Sequence, residues 1–273
     1  MPHTIAILSG TGQLPVMIHQ RYAGAIGVTF AGADHKLSKD TGVVVEHRFE
    51  RMGELFDDLR QRGVTDIVMA GAMSRPEFDT DKLDPFTANV LPNLAQAMSK
   101  GDDNVLRFLI KMIEGQGFHV VGAHELIPEL TLPEGIYSGD PHLEAHLRDI
   151  GVGDRLLDTL APFDIGQAVV IEGGLTLGIE TLQGTKALLD FVAHSNPKLR
   201  RNPRGVLIKR PKTGQDLRVD MPAIGPSTID QVVEAGLAGI VIAPNRVVVV
   251  DRDTVLAKAK DKGVFIWAKD PTC

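Results

Sequence analysis

Thr4-Ile5-Ala6-Ile7-Leu8-Ser9-Gly10-Thr11-Gly12-Gln13-Leu14-Pro15 sets the fold of the chain's first half. Residues 4–8 form a short apolar run bounded by turn formers, the mark of a buried strand. Pro15 suits the first turn of a helix running to about residue 23, where a missing N–H costs nothing. Free amides at such a helix start can hold a phosphate. The turn reads G-x-G without the third glycine of the dinucleotide fingerprint, so a tight strand-to-helix connection with no ligand explains it equally well.

The same rhythm continues outward. Strands are predicted over 25–30, 42–47, 66–70 and 117–121, with helices over 52–62, 85–100 and 103–114. Alternating βα units imply a mostly parallel sheet. Its strand ends at Ser9, Gly32 and Gly71 would open into one crevice, the usual ligand position of such sheets. Arg75 could meet a phosphate there, or be a solvated loop arginine. Asp34 follows Gly12 by roughly the 20 residues that precede a ribose-binding acid in nicotinamide enzymes. Gly101-Asp102-Asp103 is either a helix start with acids that complement the helix dipole or a metal-facing acidic pair.

Pro128, Pro133, Gly135 and Gly139 cluster without periodicity, which places a domain boundary there. The predicted domains are 1–132, Rossmann-like and nucleotide-binding, and 133–273, catalytic. Beyond the boundary come helices over 141–150 and 154–160. The first carries His142 and His146 at i and i+4, read as solvated because no metalloprotease pattern accompanies them. A hairpin pairs 166–172 with 175–180 through Gly173-Gly174, whose positive φ suits the turn. Glu180 then stands at a strand end just before Gly184-Thr185 opens a helix to residue 192, as a charge partner of that helix or a metal or water ligand. A helix over 227–235, strands over 239–243 and 246–250, a helix over 254–262 and a strand over 264–267 complete the chain. The fold class is α/β: an N-terminal Rossmann-like parallel-sheet domain and a second α/β domain with a mixed sheet.

Composition narrows the function. The chain has 273 residues, 43% hydrophobic and 23% charged, as in soluble globular proteins. Its net charge of -6 argues against nucleic acid as a partner. Only 198–212 runs the other way, with Lys198, Arg200, Arg201, Arg204, Lys209, Arg210 and Lys212 and no acid; the overlapping loop over 194–204 reads as exposed and basic, either suited to anionic headgroups or only solvated. Cys273 is the one cysteine, so no disulfide framework or thiolate metal site exists. No apolar run approaches a membrane span and no leader pattern is present. A cytoplasmic protein is expected, meeting any lipid at the membrane surface.

The most chemically dense segment is 209–228, K-R-P-K-T-G-Q-D-L-R-V-D-M-P-A-I-G-P-S-T. Strict alternation over 215–221 predicts a half-buried strand with Asp216, Arg218 and Asp220 on one face. Such a strand would hold the two acids about 13 Å apart, too far to chelate one Mg²⁺. Asp220, at the strand end beside Pro222, is the expected metal ligand, and Asp216 an orienting group. Phosphoryl chemistry needs cations on non-bridging oxygens, a carboxylate-held metal and a placed water. Lys209, Lys212, Arg218, Asp220 and Glu180 are residues of those types.

Here the chain resembles the LpxI-type UDP-2,3-diacylglucosamine diphosphatases of Gram-negative bacteria. The resemblance rests on K-x-P-K-x-G-Q-D-L-R-x-D-x-P-x-I-G over 209–225, on Asp164-Ile165-Gly166-Gln167-Ala168-Val169-Val170 and on Gly184-Thr185. Gly10-Thr11-Gly12-Gln13-Leu14-Pro15, Ala70-Gly71-Ala72, Arg75-Pro76 and Gly101-Asp102-Asp103 extend it to the N-terminal half. The family reads E-x-x-E-G-T-D where this chain has Glu180-Thr181-Leu182-Gln183-Gly184-Thr185-Lys186, so no role passes to Gln183 or Lys186. The resemblance implies hydrolysis of UDP-2,3-diacylglucosamine, dependent on Mg²⁺ or another divalent cation. The products are UMP and 2,3-diacylglucosamine 1-phosphate (lipid X) for lipid A synthesis, with water attacking the sugar-side phosphorus. Asp220 takes the metal or water-activating role, with Glu180 a second metal candidate. Lys209 and Arg218 neutralise charge, while Gln215 and Asp216 position. Gly10, Thr11, Gly12, Gln13, Arg75, Lys212, Gly184 and Thr185 are substrate contacts. The inner-membrane surface is the expected peripheral partner, and the oligomeric state stays between monomer and homodimer. A nicotinamide-dependent oxidoreductase and a non-catalytic sugar-nucleotide sensor are the rival readings.

Overall fold

The computed structural model describes residues 4–73, 76–99, 101–142, 144–200 and 204–271. The chain divides into two compact units, Met1–Pro128 with Arg218–Asp220, and Glu129–Leu217 with Met221–Cys273.

The first unit runs β1 (Ile5–Ser9), α1 (Leu14–Arg21), β2 (Ile26–Phe30), β3 (Val44–His47), α2 (Met52–Gln61), β4 (Asp66–Ala70), α3 (Pro85–Met98), α4 (Asp102–Gly115), β5 (His119–Val120) and α5 (Ala123–Leu126). The strands lie in the order β3-β2-β1-β4-β5, all parallel. Every residue of β1 and β2 is buried, as expected of parallel strands covered on both faces. Met52, Leu55, Phe56 and Leu59 give α2 one apolar stripe at i, i+3, i+4 and i+7. Phe56 meets the rings of Phe86 and Phe118 at 5.5 and 5.8 Å. Val219, arriving from much later in the chain, packs against this same core.

The second unit contains β6 (Gly135–Ser138), α6 (Glu144–Leu160), β7 (Ala168–Glu172), β8 (Leu175–Ile179), α7 (Gly184–Ala193), β9 (Val206–Lys209), β10 (Ala223–Ile224), α8 (Pro226–Glu234), β11 (Gly239–Ile242), β12 (Val248–Val249), α9 (Arg252–Lys262) and β13 (Phe265–Ala268). Its six-stranded sheet has the order β6-β13-β11-β9-β7-β8. The central β13, β11 and β9 are parallel, while β6, β7 and β8 run antiparallel to their neighbours. The sheet is therefore mixed. Alternate residues feed two cores. Val169, Ile171, Val206 and Ile208 pack with Ile150 and Leu157 of α6. Ala168, Val170 and Leu207 pack with Leu188, Leu189, Ile229, Val232 and Val255 of α7, α8 and α9.

Four sequence expectations fail here. Residues 215–221 form no strand: turns occupy Thr213, Gly214 and 217–219. Polar-apolar alternation records only which side chains face a core, and a turn that dips Val219 into the first unit's core leaves the same trace over so short a stretch. The 13 Å spacing of Asp216 and Asp220 falls with the strand. Residues 141–150 and 154–160 do not form two helices, because α6 is continuous from residue 144 to 160. Gly153 permits close packing rather than a break, since a Cβ there would lie 2.7 Å from Ile208 Cδ1. The strand expected over 246–250 shrinks to β12, which pairs with β10 outside the main sheet. Finally, β9 and β6 had no sequence counterpart, although β9 is central. Its four residues, all buried, are too few to display a period.

Candidate active site

Three residues singled out from the sequence converge in the second unit. Lys209 ends β9, Glu180 follows β8, and Thr185 lies in the first turn of α7. The sheet brings the first two together. Lys209 is in register with Ala168 of β7, and the Glu180 N–H donates to the Ala168 carbonyl at 2.8 Å. The three residues thus form one row across three strands, on the face covered by α7. Ala168, in the middle, leaves room above its methyl group for two long side chains. Lys209 Nζ donates to Thr185 Oγ1 at 2.5 Å, Thr185 Oγ1 donates to Glu180 Oε2 at 2.5 Å, and Nζ lies 3.7 Å from Oε2. Lys209 is 6% exposed and Glu180 8%. Gly166 seals the arrangement from below: its φ is 58°, and a Cβ there would meet the Glu180 carbonyl oxygen at 2.1 Å.

The rest of the basic segment is largely consumed by acids. Arg200 forks onto Glu172, with Nη2 to Oε2 at 2.8 Å, and also donates to the carbonyls of Ala235 and Gly236 at the end of α8. Glu172 is wholly buried and accepts from the Gly205 amide as well. Arg210 pairs with Asp158 at 2.8 Å and lies 3.6 Å from Asp154. Burial raises the Asp154 carboxyl above its ordinary range, and Arg210 only partly opposes this. Lys212 donates to Asp164, and its amide N–H donates to Gln215 Oε1 at 2.9 Å. In the loop read as exposed and basic, Lys198 and Arg204 are exposed, Arg200 is paired with Glu172 and Arg201 lies outside the described residues, whereas Lys209, Arg210 and Lys212 beyond it are held by acids distant in sequence.

In the first unit, the ends of β1, β2 and β4 open into a cleft of about 330 Å³ lined by Thr11, Ala33, Asp34, Ala72 and Met73. This is the crevice expected from the βα rhythm. Gly10 and Gly71 let two strand ends touch: a Cβ on Gly10 would lie 2.3 Å from the Ala72 carbonyl oxygen, and one on Gly71 2.2 Å from that of Thr11. The Gly10 and Thr11 amides donate to Ala70 and Ala72 at 2.8 and 2.7 Å, so these two donors bind the sheet rather than a ligand. Gly12, at φ 97°, and Gln13, the N-cap of α1, carry the remainder of the turn. Arg75 lies outside the described residues, as do the side chains of Asp102 and Asp103.

Arg218 belongs to the first unit, where Nη1 meets Glu114 Oε1 at 2.8 Å and the Val120 carbonyl at 3.4 Å. Asp220 is also counted with that unit, and both Asp216 and Asp220 are half-buried. Of the two histidines read as solvated, His142 is exposed and His146 is not. His142 precedes α6, and His146 is buried with its ring 5.2 Å from Phe265 and Nε2 on the Arg204 carbonyl. Among the described residues, no three His, Cys, Asp or Glu side chains converge to hold a metal. Sequence reasoning missed Asp164, Asp154 and Glu172 as partners of the cations. It also missed Ala168 as the spacer of the buried row, for which strand register would have been the signal.

Comparison with known proteins completes the picture. Residues 4–130 match the model of the LpxI N-terminal domain, and residues 133–267 that of the LpxI C-terminal domain. Over 279 aligned residues, covering 98% of each chain, the protein is 38% identical to the UDP-2,3-diacylglucosamine pyrophosphatase LpxI of Caulobacter vibrioides. Motifs and matches thus agree from one end of the protein to the other, and the chain belongs to the LpxI family.

Proposed function

We propose that this protein hydrolyses the pyrophosphate bond of UDP-2,3-diacylglucosamine, releasing UMP and 2,3-diacylglucosamine 1-phosphate for lipid A synthesis. The observation that carries this reading is the end-to-end similarity to the Caulobacter pyrophosphatase. Water adds to the sugar-side phosphorus, and the bridging oxygen departs with UMP.

The residues divide the work by charge. Lys209 and Arg218 offset the negative charge of the diphosphate, which is most of what a protein contributes to phosphoryl transfer. Each is held within its own unit, Lys209 by Thr185 and Arg218 by Glu114. Gln215, folded back on the Lys212 amide, and Asp216 hold the loop that carries the charges. Lys212, Gly184, Thr185 and Arg75 are further substrate contacts. On the nucleotide side the Gly10 and Thr11 amides are spent on the sheet, so contact within the 10–13 turn falls to Gly12 and Gln13.

Mg²⁺, or another divalent cation, is the proposed cofactor, and its test is donor chemistry. Mg²⁺ takes hard oxygen donors, commonly one or two carboxylates with substrate phosphates and waters. The half-buried carboxylate of Asp220 fits that requirement. The ion, when bound, neutralises phosphate oxygens and acidifies a coordinated water. Among the described residues no helix is long and apolar enough to cross a membrane. The proposed place of encounter with the acylated substrate is the cytoplasmic face of the inner membrane, met peripherally. Incubating purified protein with UDP-2,3-diacylglucosamine and Mg²⁺ tests the reading: UMP release supports it, and tight binding without turnover contradicts it.

A further inference from the structure

Glu180 and Lys209 are two opposite charges buried within 3.7 Å of each other, with the Thr185 hydroxyl between them. The direction of the hydrogen bonds follows from the donor inventory. A lysine ammonium can only donate and an ionised carboxylate can only accept, while a hydroxyl does one of each. Thr185 Oγ1 must accept from Lys209, and its single hydrogen must then go to Glu180 Oε2. The two hydrogen bonds together fix the direction of the hydroxyl.

This geometry conflicts with a metal-ligand role for Glu180. A magnesium ion needs oxygen at about 2.1 Å and a nearly octahedral shell. At Oε2 such an ion would share the carboxylate with a hydroxyl hydrogen and an adjacent ammonium, both of which oppose a dication. A buried carboxylate facing an ammonium instead offsets the desolvation of that ammonium. Resting on the hydrolase reading above, we infer that Glu180 is a positioning residue for Lys209. It acts through Thr185 to hold the ammonium toward the sheet's strand ends, where Lys209 neutralises the diphosphate. Asp220 is then the metal-binding carboxylate, and the catalytic cation is aimed by a three-residue relay whose spacer is Ala168.

The test uses the full-length protein and four forms: wild type, Glu180→Gln, Thr185→Val and Thr185→Ser. kcat, KM and the Mg²⁺ concentration for half-activation are measured with UDP-2,3-diacylglucosamine in mixed micelles, and Mn²⁺ binding to the free protein is followed by electron paramagnetic resonance. Glu180→Gln and Thr185→Val should each lower kcat about 10- to 100-fold, the usual effect of losing a supporting partner, with Mg²⁺ half-activation and Mn²⁺ affinity within about twofold of wild type. Thr185→Ser keeps the hydroxyl and should recover most of the rate lost in Thr185→Val. A rise of tenfold or more in the Mg²⁺ requirement of Glu180→Gln, or loss of its Mn²⁺ binding, would overturn the inference. So would a serine variant as slow as the valine one, a comparison that decides the matter even if Glu180→Gln does not fold. Absence of UMP release by the wild type overturns the hydrolase reading instead, and leaves the Mn²⁺ comparison to judge Glu180.

Discussion

Lys209 Nζ lies 3.7 Å from Glu180 Oε2 although the strand β7 runs between the elements that carry them. Such a reach across a strand requires a small residue at the crossing point. Ala168 is that residue, paired in register with Lys209 and hydrogen-bonded through its carbonyl to the Glu180 amide. A cation that could serve phosphoryl chemistry is thus placed by strand register, and its orientation depends on a methyl group.

Filling the gap should separate the pair. Ala168→Val inserts two methyl groups into a fully buried position, where overpacking costs about 1–3 kcal/mol. The variant is expected to melt earlier than wild type and to lose a larger fraction of kcat than of substrate affinity. Thermal denaturation and steady-state kinetics on the same preparation check this, and a variant with full kcat would show that the spacing at Ala168 is unimportant.

Gly166 offers an independent handle on Glu180. A Cβ would press on the Glu180 carbonyl at 2.1 Å in a backbone already at φ 58°. Gly166→Ala should therefore destabilise the second unit by about 1–3 kcal/mol and lower activity by moving Glu180. Urea denaturation gives the first quantity. An unchanged midpoint would contradict the close approach.

Glu172 and Arg200 illustrate the cost of orphaning a buried charge. Glu172→Ala removes the partner of Arg200 and the acceptor of the Gly205 amide. Loss of one member of a buried pair costs about 3–5 kcal/mol, so this variant should be among the least stable single substitutions in the chain. Soluble expression yield and melting temperature measure it directly.

Asp84 supplies a pH prediction. Burial acts to raise its carboxyl, but hydrogen bonds from the Thr87 side chain and from the amides of Thr87, Glu54 and Gly53 outweigh that, leaving it below the ordinary 3.8. A depressed folded-state pKa contributes stability that is complete above 3.8 and lost as pH falls through the folded value. Asp84→Ala removes the N-cap of α3 and should cost about 1–2 kcal/mol at pH 7. The gap between variant and wild type should narrow below pH 4 in equilibrium unfolding. A gap that stays constant with pH would contradict the ionised cap.

Much of the fold could be read in advance because it rests on local signals. The turn at 9–15, the apolar stripe of α2 and the Gly173-Gly174 hairpin each specify an element without distant help. The failures share a cause in long-range packing. β9 is four residues long and is a strand only because β7 and β11 flank it. The 215–221 alternation belongs to a turn because Val219 finds a core built by residues far earlier. Gly153 resembles a helix break but is a packing contact. At the site, Lys209 and Glu180 could be named from chemistry and Thr185 from the family motif, yet their meeting depends on a strand register that three separate motifs do not encode. In the basic run at 198–212 the partners of Arg200, Arg210 and Lys212, namely Glu172, Asp154, Asp158 and Asp164, were not legible because all lie far upstream.

The most direct measurement is UMP release from UDP-2,3-diacylglucosamine in the presence of Mg²⁺, by wild type and by Asp220→Ala, with melting temperatures recorded for both. Rapid release by wild type, reduced at least about 100-fold in the variant at an unchanged melting temperature, is the predicted result. No release by wild type, or equal rates for the two proteins, would contradict the account.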